Sequence, residues 1–147
     1  MGIVTTKFLL RNSRQPHLSI EVDAVADTGS VHLCIPEHVR AALQLEVIAD
    51  KEVISADGSL RSVPYAGPIE LRFKNRVGFT GAVVLGDQVL IGAIPMEDMD
   101  LVVVPRTRSL DVNPASPDVS RSIVKQAPAE YAGRTITALT PNSEVAQ

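Results

Sequence analysis

The chain has 147 residues, 45% of them apolar, and a formal net charge of −3. That is one ordinary domain with enough apolar material for a single core. Aromatic residues are 3%, Trp is absent and no basic cluster occurs, which argues against nucleic-acid binding. The lone Cys34 rules out an intrachain disulfide and fits a reducing, cytoplasmic setting. Met1 to Lys7 carries no apolar h-region, and no stretch approaches the ~18 apolar residues of a membrane span. Neither a signal peptide nor a membrane contact is expected.

The predicted elements are mostly strands. Ile3 to Leu10 and His17 to Ala26 are two runs separated by a turn-type segment, Arg11 to Pro16. In the second run Leu18, Ile20, Val22 and Ala24 fall on one face and Ser19, Glu21 and Asp23 on the other. Val31 to Ile35 is a short apolar piece. Pro36 then opens a helix over Glu37 to Leu45. Val47 to Ser55 and Leu60 to Pro64 read as a β-hairpin tipped by Asp57-Gly58, a two-residue turn signal. Ile69 to Phe73 and Val77 to Leu85 are two further strands, with Asn75-Arg76 or the residues around them in the turn between. Val89 to Ile91 is a short strand stopped by Gly92. Pro95 to Met99 gives a turn or two of helix, and Leu101 to Val104 is a last strand closed by Pro105. From Arg106 the pattern dissolves. Residues 1–118 form the expected domain and 119–147 a flexible tail, mobile from about residue 126.

One turn stands out. The strand ending at Ala26 runs into Asp27-Thr28-Gly29-Ser30. A carboxylate at the end of a buried strand, beside two hydroxyls, is costly unless it is used. Asp87, Asp98 and Asp100, by contrast, read as solvated loop acids, and His17 as a surface residue.

Several motifs then occur in a fixed order: Asp27-Thr28-Gly29-Ser30, Ser55-Ala56-Asp57-Gly58, Leu90-Ile91-Gly92, and Leu101 to Pro105. This order resembles the retropepsin-like aspartic proteases, and more narrowly their small single-domain microbial members. The likeness covers roughly residues 3–118. It implies an all-β, barrel-like acid-protease fold with one or two short helices. It also implies an aspartic endopeptidase that needs no cofactor and no metal. Two carboxylates sharing one proton can activate water and protonate a carbonyl together. The chain holds one Asp-Thr-Gly, so the resemblance implies a homodimer in which Asp27 of each copy meets on a two-fold axis. Gly29 and Ser30 would hydrogen-bond Asp27, Thr28 would bond across the dimer, and Gly92 would leave room behind the loop. The Val53–Val63 hairpin, with Ala56, Asp57 and Gly58 at its tip, would be a flap over an extended peptide or protein substrate. Val31, Val53, Ile54, Leu60 and Val84 are candidate cleft residues. Ala26 departs from the larger aliphatic residue common before the catalytic Asp, and the flap has one Gly where several are usual.

Other readings compete. His32, Cys34 and His38 could form a zinc site or a Cys–His nucleophile, but a fourth ligand and a second Cys are missing nearby. The same fold could hold a peptide without cutting it. The tail 119–147 could itself carry a partner interaction.

Overall fold

The computed structural model describes residues 3–125. Seven strands form the main sheet: β1 (Val4–Asn12), β2 (Ser19–Ala26), β3 (Leu33–Ile35), β4 (Glu46–Ile54), β5 (Leu60–Phe73), β6 (Arg76–Val84) and β7 (Val89–Ile91). Helix α1 (Glu37–Ala42) follows β3, and α2 (Ala93–Asp98) follows β7. A separate two-stranded sheet is made by β8 (Leu101–Val104) and β9 (Ser109–Val112).

The main sheet runs β1-β2-β7-β3-β6-β5-β4, and β1 also pairs with β5. That last pairing closes six strands into a barrel and leaves β4 as an outer hairpin arm. Alternation explains the packing. In β1, Val4, Phe8, Leu10 and Asn12 are buried, while Thr5 and Lys7 are exposed. Phe8 stacks on Phe73 at 5.1 Å, and Leu10, Ile69 and Leu71 fill the space beside them. The β2 pattern holds: its predicted polar face is exposed and its apolar face packs on the core.

Buried Asn12 serves as a polar pin. Its Nδ2 donates to the carbonyls of Leu43 and Gln44 at the end of α1, at 2.8 and 3.3 Å. Its Oδ1 accepts from the backbone N–H of Arg14 and Gln15. One side chain thus satisfies a helix end and a strand turn together.

Several expectations are corrected. Pro64 does not end its strand, because β5 continues through it to Phe73. Pro64 faces Asp50 of β4, and β6 joins only at Tyr65, so no second neighbour needs its missing N–H. Arg76 is not a turn residue. Lys74, at φ 51°, takes the turn, and Arg76 opens β6 fully buried. The pattern does not dissolve after Arg106, because β9 pairs with β8 and buries Leu110. The hairpin tip is longer than Asp57-Gly58. Ser55 N–H bonds Ser59 O and Gly58 N–H bonds Ser55 O, both at 2.8 Å, with Gly58 at φ +86°. That arrangement needs a left-handed residue, which glycine supplies at little cost.

Asp100 is not a simply solvated acid. It accepts from Ser116 Oγ at 2.5 Å, Asn113 Nδ2 at 3.0 Å and Arg121 N–H at 2.9 Å. These donors, with the Arg76 guanidinium 3.7 Å away, hold its carboxyl down at about 2. Asn75 adds bonds to the carbonyls of Pro117 and Asp118. The segment 113–121 is therefore strapped to the barrel. Residues 126–147, most of the expected tail, lie outside the described residues.

Candidate active site

The site begins with a register. Strands β2 and β7 run parallel, with Ala24, Val25 and Ala26 beside Val89, Leu90 and Ile91. Two segments distant in sequence therefore end side by side, and Asp27 and Gly92 come next on each. Asp27 N–H continues the ladder to Ile91 O at 3.0 Å.

The Asp27 carboxylate is held by its own loop. Oδ1 accepts Gly29 N–H at 3.0 Å, and Oδ2 accepts Ser30 Oγ at 3.1 Å. The turn closes through Ser30 N–H to Asp27 O at 3.1 Å. Its back is braced by α2, whose Ala93 N–H bonds Ser30 O at 2.8 Å and whose Ile94 N–H bonds Val31 O at 2.9 Å. Gly92 is the contact point. A Cβ there would lie 2.4 Å from His32 O and 2.8 Å from Ser30 O. Only a residue without a side chain lets helix and loop approach this closely.

Asp27 itself is exposed. The expectation of a charge at a buried strand end is thus corrected, because β2 and β7 stop at the barrel rim. Thr28 and Gly29 are also exposed. Thr28 lines an open groove of about 860 Å³ with Met96, Leu101, Arg121 and Ile123.

A second cleft, of about 410 Å³, lies between this loop and the β4–β5 hairpin. Gly29, Ser30 and Val31 form one wall, and Val53, Ile54 and Ser55 the other. Three of the predicted cleft residues, Val31, Val53 and Ile54, are in place. Val84 is not. It packs in the main core, while Val83 and Leu85, one residue to either side, reach the cleft. The alternation of Val77 to Leu85 carried that signal, but its phase did not. Leu60 stays outside this cleft and is exposed.

At the hairpin tip Ala56, Asp57 and Gly58 are exposed. Asp57 Oδ1 accepts Ser59 Oγ at 2.6 Å and Ser59 N–H at 2.9 Å, and these bonds lower its pKa.

The competing His–Cys constellation is split. His32 and Cys34 line the cleft, whereas His38 is exposed and lines a different groove with Asp87. Among the described residues, no group of three His, Cys, Asp or Glu could hold a metal ion. Burial first, and the Asp27 carboxylate second, push the Cys34 thiol above its ordinary value. That is the wrong direction for a thiolate nucleophile.

No family model matches the chain, and neither does any curated protein. Among solved structures the chain is similar to a foamy viral protease-reverse transcriptase in complex with double-stranded DNA. The likeness has a TM-score of 0.41 and 19% identity, and covers 61% of this chain and 14% of that one. No described helix is long and apolar enough to cross a membrane.

Proposed function

We propose that the protein is a retropepsin-like aspartic endopeptidase, active as a homodimer with Asp27 of each copy on the two-fold axis. One observation carries the reading. A fixed, exposed carboxylate, bonded on both oxygens, belongs to the loop whose Gly29, Ser30 and Val31 form one wall of a cleft facing a hairpin. The bonds from Gly29 and Ser30 set its direction and leave its exposed side open to a second copy. Two such carboxylates a few ångströms apart would share a proton. The ionised one would take a proton from water, and the protonated one would donate to the scissile carbonyl oxygen. An extended peptide would lie in the cleft under the β4–β5 hairpin. The braced loop suits this role, because such a dyad needs its carboxylates held still.

The test is Asp27→Asn, assayed on a peptide library alongside sedimentation. The turn keeps its shape with an amide, so folding and dimer mass should be retained. Cleavage should fall at least about 100-fold. The wild-type rate should show two coupled apparent values on the acid side and fall on dilution. Undiminished cleavage by Asp27→Asn, or a wild-type enzyme fully active as a monomer, would refute the reading. A non-catalytic peptide-binding dimer is the second reading. A bound peptide recovered intact after long incubation with the wild type would favour it.

A further inference from the structure

Beside the His32 wall of the cleft, among residues that do not themselves line it, stands a feature that water activation does not use. Tyr65 of β5 lies against Gly81 of β6, where a Cβ would sit 2.3 Å from the ring carbon Cζ. Glycine at 81 is therefore the seat of this ring. Two basic side chains gather on it. Lys51 Nζ of β4 stands 4.5 Å over the ring centroid. The His32 ring meets the same ring edge-on at 6.1 Å. His32 lines the cleft beside Cys34, Val53 and Val83.

Among the described residues neither Lys51 nor His32 forms an ion pair, although most of the surface cations near the strands do. The neighbouring Glu52 lines the cleft, as Lys51 does not, yet among the described residues it forms no ion pair with Lys51 or His32. Lys51 and Val53 are half-buried and Val53 packs with Tyr65 on Val63 and Val83, so strand alternation turns the exposed Glu52 side chain away from the Tyr65 face. Burial and then the Lys51 ammonium hold His32 below its ordinary pKa, as two basic groups without an acid between them should.

We infer that Lys51 and His32, seated on Tyr65, form a specificity pair that selects an acidic side chain in the bound peptide. The inference rests on the cleft being the peptide site proposed above. A Glu or Asp side chain entering beside Cys34 and Val83 would accept from the Lys51 ammonium and from an imidazole N–H. Its charge would relieve the repulsion between them. A neutral Gln would make weaker bonds, and a Lys would be repelled.

The test uses a positional-scanning peptide library with one position at a time fixed as Glu, Gln or Lys. Cleavage by the wild type is measured, together with binding of the same fluorescent peptides to Asp27→Asn, with and without Lys51→Glu. At one position Glu should outperform Gln about tenfold in both readouts. Lys51→Glu should reverse the order in favour of Lys, and His32→Ala should weaken the Glu preference without reversing it. Equal handling of Glu and Gln at every position, or a preference indifferent to Lys51→Glu, overturns the inference. Cleavage without the preference would do so while leaving the peptidase reading intact. Lys51-dependent binding of Glu peptides without cleavage would keep the selection and remove the peptidase. Failure to bind any of the peptides would remove the selection as well.

Discussion

Two loops in this chain make the same local bond and end in opposite mechanical states. In each, an Asp Oδ1 accepts a backbone N–H two residues on: Gly29 for Asp27, Ser59 for Asp57. The first turn has a wall behind it. Gly92, Ala93 and Ile94 press on it or bond to it from α2. The second has none among the described residues, where a Cβ on Gly58 would meet nothing within 4 Å. The lesson is that an Asx turn sets a shape, while packing decides whether the shape is held. The braced turn suits a group that must not move, and the free one suits a lid.

The largest expected effect comes from attacking the brace. Gly92→Ala puts a methyl among backbone atoms that cannot step aside. Its unfolding free energy should drop by about 3 kcal/mol in urea titration. A loss below about 1 kcal/mol would mean that the loop and α2 are not locked, and the contrast would fail.

Asp100 sharpens the comparison with a third carboxylate, one that ties a strap. Its folded pKa is depressed to about 2 from 3.8, so its contribution is complete above the unfolded value. It is lost as pH falls through about 2. Asp100→Asn should lower stability at neutral pH, with the gap to wild type closing as the solution is acidified. Hydrogen exchange at Ser116 and Arg121 should rise in the variant. A constant gap across the titration would show that the carboxylate's charge is not what holds the strap.

At the free turn the effects should be smaller. Gly58→Ala meets open space, but its φ of +86° strains any side chain, so a loss of about 1 kcal/mol is expected. That effect should sit well below the one at Gly92. The smallest is Ser59→Ala, which removes the hydroxyl donor to Asp57 and keeps the backbone one. A Tm change under about 2 °C in calorimetry is expected. A larger shift would mean that the tip is packed after all.

The difference between these loops is also the difference between what was legible and what was not. Asp27-Thr28-Gly29-Ser30 and Asp57-Gly58 could both be read as turns, because turn chemistry lies in adjacent residues. That α2 braces only one of them could not, because the bond from Ala93 to Ser30 joins segments far apart in the sequence. The burial of Arg76 is not legible for a similar reason. A charged residue after Asn75 looks like a turn, and only the buried carbonyl of Ser116 and the nearby Asp100 let it enter the interior. Strand β9 is not legible in the sequence because Ser109 to Val112 is too short to show a period without β8 beside it.

The amino-acid order alone determined the β-rich character, the apolar face of β2 and the candidate carboxylate, since alternation and turn propensity act over a few residues. The tertiary structure decided which distant segments meet. Parallel pairing of β2 with β7 set Gly92 behind Asp27, and the phase of β6 sent Val83 rather than Val84 to the cleft. Register is fixed by the whole barrel closing on one core, and a one-residue slip turns every side chain to the other face.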